Sequence, residues 1–133
     1  MPRLNAIGIV VSSMTASTEF YRHLGLDFPS GSENEGHAEA ETSGGIRLML
    51  DTEEMMKSFS DWEPPKGGGQ RTTLAFLCDS PAEVDRLHLL LTGMGGSTVV
   101  APFDAPWGMR YATVADPDGN HFDLFAHQEQ PPA

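Results

Sequence analysis

Two groups of ionisable side chains have types and spacing that could bind a metal ion. His37, Glu39 and Glu41 alternate along one predicted strand, and His121 and Asp123 stand two residues apart on another. Residues two apart on a strand share a face, so each group presents its side chains on one side of a sheet. Imidazole and carboxylate are ligands of divalent ions, and a site would form if His37 joined His121 and Asp123 across a cavity.

The alternative is that the strand carrying His37 simply has one solvated face, and we favour this interpretation. The sequence therefore predicts no bound metal and no other cofactor. If Asp123 faces the cavity, its carboxylate can accept a hydrogen bond or pair with a cationic group; otherwise it bonds a neighbouring strand. The sequence has no phosphate-binding glycine loop or dinucleotide motif, and we identify no nucleophile with a base beside it.

Aromatic and sulfur-containing side chains form a further group of candidates, suited to binding a flat apolar molecule. Aromatic rings stack on planar ligands, and methionine adapts to irregular shapes. We expect an aromatic rim around a cleft whose wall includes two leucines of the fourth strand: Phe59, Trp62, Phe103, Trp107, Met109, Tyr111, Leu48 and Leu50. Two alternatives stay open, since Trp107 could have a structural role beside Gly108, and Phe59 and Trp62 could pack their loop on a dimer surface.

The elements that position these residues repeat along the chain. The first half is typical of a strand, a helix and three strands, over residues 4–11, 14–24, 26–28, 37–42 and 46–50. The second half has the same order, with its helix beginning at Pro81 after the cap Ser80 and its strands over residues 72–78, 98–101, 110–115 and 121–125. The repeat predicts two like β-α-β-β-β modules.

We therefore predict one α+β domain over residues 1–133. Module one spans residues 1–51 and module two spans residues 72–127, with a loop and linker over 52–71 and a tail over 128–133. Alternation along the strands sorts residues by face. The cleft face is expected to carry Ala6, Gly8, Val10, Ile46, Leu48, Leu50, Thr73, Ala75 and Leu77, and the face under the helices Ile7, Ile9, Val11, Leu74, Phe76, Phe122 and Leu124.

Composition limits the possible partners and the compartment. The chain has 8 Lys and Arg against 19 Asp and Glu, a net charge of −11, which repels nucleic-acid phosphates and attracts cationic ligands. A single cysteine, Cys78, is typical of a reducing cytoplasmic setting. We expect no signal peptide and no membrane span, because the sequence has no long apolar run.

Two stretches of the sequence carry a resemblance to a known family. Residues 7–14 (IGIVVSSM) and 20–26 (FYRHLGL) resemble the first module of the vicinal oxygen chelate superfamily. The closing segments 106–108 (PWG), 111–114 (YATV) and 116–120 (DPDGN) are similar to the end of its second module, and the Pro-Trp-Gly step is similar to bleomycin-resistance-type members. This superfamily contains glyoxalase I, extradiol dioxygenases and resistance proteins for fosfomycin and bleomycin.

The resemblance implies paired modules that curl into open half-barrels, in a homodimer whose modules pair between chains. Enzymes of the family hold a divalent metal through residues that correspond here to Ala6, Leu48, Thr73 and Asp123. Alanine and leucine have no donor atom and threonine is a poor ligand, whereas a catalytic ion typically needs about three protein ligands.

The resemblance also implies a function. We expect a metal-free protein that sequesters an aromatic or apolar natural product, as the bleomycin-resistance-type members do, and so confers antibiotic resistance. The alternative is an enzyme, either metal-dependent like a glyoxalase or dioxygenase, or metal-free with Asp123 or His121 as general base.

Overall fold

The computed structural model describes residues 1–67 and 71–128. Its Cα positions divide the chain into two compact units, Met1–Gly67 and Gly68–Ala133. The division falls within the predicted linker, of which residues 68–70 lie outside the described residues, as do residues 129–133 of the predicted tail. Among the described residues, no helix is both long and apolar enough to cross a membrane.

The first unit has one three-stranded sheet and two helices. Its elements, in chain order, are β1 (Ala6–Val11), α1 (Met14–Arg22), a 3-10 turn (Ser32–Asn34), β2 (His37–Glu41), β3 (Arg47–Thr52) and α2 (Glu53–Phe59). The strand order is β1-β3-β2, with β1 parallel and β2 antiparallel to β3.

Helix α1 begins and ends where local chemistry requires. The Ser13 hydroxyl caps it by accepting a hydrogen bond from the Ala16 N–H at 3.1 Å. Phe20 and Tyr21 are buried with ring centroids 5.5 Å apart, which fixes the face that packs inward. The chain turns after Arg22 and passes Gly25 at a φ of 84°, a left-handed conformation that favours glycine.

The strand expected over residues 26–28 does not form. Leu26 donates its N–H to the Tyr21 carbonyl, and the Arg22 guanidinium donates to the carbonyl oxygens of Phe28 and Pro29 at 3.2 and 3.1 Å. The end of helix α1 thus satisfies backbone groups that a sheet would otherwise pair. Leu26 and Phe28 are buried as core residues instead.

The second unit has the full β-α-β-β-β order that the sequence predicts. It consists of β4 (Leu74–Leu77), α3 (Pro81–Thr92), β5 (Ser97–Ala105), β6 (Met109–Ala115) and β7 (His121–His127), in the strand order β4-β7-β6-β5. Ser80 caps α3 and Pro81 opens it, as expected. In the turn before β7, the buried Asp116 carboxylate accepts hydrogen bonds from the backbone N–H groups of Asp118 and Asn120 at 2.9 Å.

The prediction that Leu48 and Leu50 face the cleft is wrong. Leu50 pairs with Ile9 and Ala38 in the sheet, and both leucines are buried, with Leu50 fully inaccessible. Paired residues on neighbouring strands share a face, so these leucines lie with Ile7, Ile9 and Val11 on the covered side. The open side of β3 presents Arg47, Met49 and Asp51 instead.

Candidate functional site

The open face of the second unit places a carboxylate between two hydroxyl groups. Thr113 is the register partner of Asp123, and its Oγ1 donates to Asp123 Oδ1 at 2.8 Å. The Tyr111 hydroxyl donates to the other carboxylate oxygen, Oδ2. Both oxygens of Asp123 therefore accept a hydrogen bond from the neighbouring strand β6, and the residue is only 7% exposed.

Three aromatic rings pack edge to face beside this carboxylate. The ring centroids of Phe103 and Tyr111, which are register partners on β5 and β6, lie 6.1 Å apart. The Trp107 ring lies 6.2 Å from Phe103 and 5.6 Å from Tyr111. These separations are those of favourable aromatic pairs, so the rings hold one another in place. We call Phe103, Trp107 and Tyr111 the aromatic triad.

The tight connection between β5 and β6 positions Trp107. The Gly108 N–H donates to the Ala105 carbonyl at 3.1 Å, and Gly108 has a φ of 80°, which a side chain would disfavour. The Gln128 N–H closes onto the Gly108 carbonyl at 3.0 Å. Trp107 projects from this turn and remains 57% exposed, so a large aromatic surface stays available to a ligand.

Five predicted site residues therefore lie together on one sheet face. Met109 pairs with Ala105 and His127 in the sheet. It precedes Tyr111 by two residues on β6, so its side chain lies on the same face as the aromatic triad and Asp123. Sequence reasoning missed Thr113 and Phe125, although strand alternation could have found them. Thr113 follows Tyr111 by two residues, and Phe125 follows Asp123 by two and is the register partner of Tyr111.

The environment of Tyr111 keeps its hydroxyl protonated. Burial and the hydrogen bond to the Asp123 carboxylate raise the pKa of Tyr111 to about 12. Both causes disfavour the phenolate, since burial penalises a charge and the adjacent carboxylate repels it. Tyr111 therefore acts as a hydrogen-bond donor across the physiological range.

His37 lies in the first unit, within a polar network on the open face of that sheet. Its Nδ1 is 2.6 Å from Asp51 Oδ1, and its Nε2 is 2.7 Å from Glu39 Oε2. Arg47 bridges Glu39 and the Asn5 side chain, the latter at 2.7 Å. The hydrogen bonds to Glu39 and Asp51 raise the pKa of His37 above its ordinary value.

Phe59 and Trp62 also belong to the first unit. Phe59 ends α2 and is 69% exposed, while Trp62 is half-buried in the segment that follows. Trp62 lines a hollow of about 750 Å³ formed by that segment, together with Lys57, Ser60, Asp61, Glu63, Pro64, Pro65 and Lys66.

The positions that the resemblance assigns to metal ligands do not form a ligand set. Ala6 is followed on the open face of β1 by Gly8 and Val10, none of which has a side-chain donor atom. The open face of β3 presents Arg47, Met49 and Asp51 rather than Leu48, and the Asp51 carboxylate is hydrogen-bonded to His37. Within residues 1–67 and 71–128, no group of three or more His, Cys, Asp or Glu side chains is arranged to hold a metal ion.

Solved structures with the same fold cover nearly all of this chain. A glyoxalase/bleomycin resistance protein/dioxygenase family enzyme from Burkholderia phytofirmans aligns with a TM-score of 0.75 at 20% identity, over 95% of this chain and 99% of its own. A glyoxalase-related enzyme from Fulvimarina pelagi aligns with a TM-score of 0.77 at 19% identity, over 96% of this chain and 89% of its own. A glyoxalase/bleomycin resistance protein/dioxygenase from Nocardioides aligns with a TM-score of 0.68 at 25% identity, over 98% of this chain and 87% of its own.

The sequence comparison agrees with the structural one at the level of the family. No curated protein matches the chain significantly in sequence. Residues 3–124, however, match the family described as the Glyoxalase/Bleomycin resistance protein/Dioxygenase superfamily. This match spans almost the whole chain and confirms the resemblance carried by its two motif regions. The chain is a member of the Glyoxalase/Bleomycin resistance protein/Dioxygenase superfamily.

Proposed function

We propose that this protein binds a planar aromatic or apolar small molecule on the open face of its second unit and sequesters it. The observation that carries the proposal is the aromatic triad beside Asp123, with Trp107 held by two rings yet 57% exposed. Exposing a tryptophan to water costs hydrophobic free energy, which a stacked ligand would recover. Ligand sites are typically apolar with a few polar groups that orient the guest, and Asp123 and Thr113 would serve that role.

We propose that this binding does not depend on a metal. The proposal is supported by the side chains at the family's ligand positions, where Ala6 and Leu48 lack oxygen or nitrogen donors and Thr73 offers only a hydroxyl. Asp123 is the one carboxylate at those positions, and its two oxygens already accept hydrogen bonds from Tyr111 and Thr113. A single carboxylate falls short of the usual three protein ligands of a catalytic ion.

The biological role we propose is antibiotic resistance by drug sequestration, in the cytoplasm and as a homodimer. Resistance is supported by the family description, which includes bleomycin resistance proteins. A reducing compartment is supported by the single cysteine of the chain, Cys78, which is free and buried. A dimer is supported by large apolar side chains left exposed within the chain, among them Leu77 and Leu89.

Calorimetric titration with bleomycin and with a planar anthracycline tests the binding role. We expect at least one of them to bind, and Trp107→Ala to weaken that binding by about tenfold, because a hot-spot tryptophan typically contributes more than about 1 kcal/mol. Leu89→Ala is the control, since Leu89 is a large apolar side chain that is 71% exposed on helix α3 of the same unit. Equal binding by Trp107→Ala and the parent protein would refute the assignment of this face.

Elemental analysis of the purified protein tests the metal-free proposal. We expect no stoichiometric zinc, nickel, manganese or iron. A full metal equivalent that is lost in Asp123→Ala would contradict the proposal and favour the alternative, a glyoxalase- or dioxygenase-like enzyme.

A further inference from the structure

Asp123 is a nearly buried carboxylate whose hydrogen-bond partners are neutral. Tyr111 and Thr113 each donate one hydroxyl hydrogen bond, and neither carries a positive charge. Among the described residues of the second unit, none forms an ion pair with Asp123. Burying a charge without a counter-charge is costly, and two hydroxyl groups compensate only part of that cost.

The arginines of this unit's folded elements are committed to other carboxylates. Arg86 pairs with Glu83 on α3 at 3.1 Å. Arg110 lies on β6, but its side chain points to the helix side, where it pairs with Asp85 at 3.0 Å and Asp104 at 3.1 Å. The second unit has no lysine, and its remaining arginine, Arg71, precedes β4. Among the residues of the second unit that the structure describes, none on the open strand face around Asp123 is therefore an arginine or a lysine.

We infer that the ligand itself supplies the missing cation, as a protonated amine that donates to Asp123 while its aromatic body packs against the triad. This inference rests on the proposed function and names the ligand class for the same site. Asp123 keeps 7% of its surface exposed, so a ligand nitrogen can reach it from the open side. Each carboxylate oxygen also has a lone pair beyond the one used by a hydroxyl.

The surroundings of Asp123 also favour a cation. The faces of tyrosine and tryptophan rings attract ammonium groups, so Tyr111 and Trp107 would stabilise the same amine. The net charge of −11 raises the local concentration of cationic ligands around the whole chain. His121 shares the strand and the alternation of Asp123 but forms no ion pair with it, so it does not replace the ligand's charge.

A matched pair of probes tests this inference on the full chain. Naphthalen-2-ylmethylamine and naphthalen-2-ylmethanol share one aromatic body, and only the amine is charged at neutral pH. Their affinities are measured from amide and indole N–H shifts in NMR titrations, with the Trp107 indole signal assigned by its loss in Trp107→Phe. We expect the amine to bind about tenfold more tightly, because its charged N–H group forms an ion pair with the Asp123 carboxylate, whereas the alcohol offers only a neutral O–H donor.

Two variants with the same change of charge locate the effect. Asp123→Asn should bring the amine-to-alcohol ratio close to one. Asp104→Asn, in the same sheet but with its side chain 69% exposed and paired to Arg110, should leave the ratio unchanged. Equal affinities in the parent protein, or a ratio that survives in Asp123→Asn, would overturn the inference and leave the aromatic site intact. Absence of any shift at the triad with either probe would instead refute the proposed function.

A third probe decides the question if Asp123→Asn fails to fold. The N,N,N-trimethyl derivative of the amine keeps the charge and the naphthalene ring but has no N–H to donate. We expect it to bind the parent protein several-fold more weakly than the amine. If the trimethyl derivative binds as tightly as the amine or more tightly, the positive charge is stabilised by the aromatic faces alone. That result would contradict a direct hydrogen bond from the amine to Asp123.

Discussion

The Tyr111 hydroxyl on β6 reaches diagonally to the carboxylate of Asp123 on the adjacent strand β7. The residue directly opposite Tyr111 on β7 is Phe125, whereas Asp123 lies opposite Thr113. Tyr111 therefore bonds a residue that is two positions along β7 from its own register partner and on the same face of the sheet. Long side chains on one sheet face make such diagonal contacts. The contact ties the aromatic triad to the acidic side chain of β7.

Removing the Tyr111 hydroxyl should destabilise the second unit. Tyr111→Phe keeps the ring and its packing but leaves Asp123 Oδ2 without its hydroxyl donor. We expect the free energy of unfolding to fall by about 1–3 kcal/mol, the usual cost of depriving a buried polar group of its partner. Urea denaturation followed by tryptophan fluorescence measures this change, and no loss of stability would show that the bond does not form in solution.

The polar network of the first unit should make stability depend on pH. Glu39 and Asp51 raise the pKa of His37, so folding favours the protonated imidazolium. The stabilisation is complete below the unfolded pKa of about 6.5 and is lost as the pH rises through the higher folded value. We expect the urea midpoint to decline over this range in the parent protein and to be flatter in His37→Asn.

An exposed histidine provides the control for that measurement. His23 follows α1, is exposed, and forms no ion pair with a carboxylate among the described residues. His23→Asn should keep the decline of the parent protein. A decline that persists unchanged in His37→Asn would exclude His37 as its source.

Adjacent residues of β3 should respond very differently to truncation. Leu50 is fully buried, and Leu50→Ala should cost about 2–5 kcal/mol of unfolding free energy, because it leaves a cavity. Met49 lies on the open face opposite Gly8, and Met49→Ala should cost much less. Chemical denaturation of both variants checks the register, and equal costs would contradict the assignment of faces.

The proposed homodimer should be visible in solution. Light scattering coupled to size-exclusion chromatography should give twice the chain mass of 14.4 kDa. Leu77, which is 63% exposed on the edge strand β4, is a candidate contact, and Leu77→Lys should shift the species toward the monomer. A parent protein that elutes as a monomer at micromolar concentration would refute the dimer.

Local chemistry in the sequence was enough to determine several elements and part of the site. Ser80 caps its helix as predicted, because a hydroxyl before an apolar periodic segment satisfies free N–H groups wherever the helix packs. Alternation along β7 correctly predicted that Phe122 and Leu124 are buried on one face, which leaves Asp123 on the other. These features depend on neighbours within a few residues, which the sequence states directly.

Features that depend on distant neighbours required the tertiary structure. Leu48 and Leu50 were assigned to the wrong face because a shift of one residue in strand register exchanges the two faces, and only pairing with Ile9 and Ala38 defines that register. Residues 26–28 do not form a strand, because the Leu26 N–H donates to the Tyr21 carbonyl and the Phe28 carbonyl accepts from the Arg22 guanidinium. The packing of the aromatic triad and the hydroxyl partners of Asp123 likewise arise from contacts between strands, which local sequence does not encode.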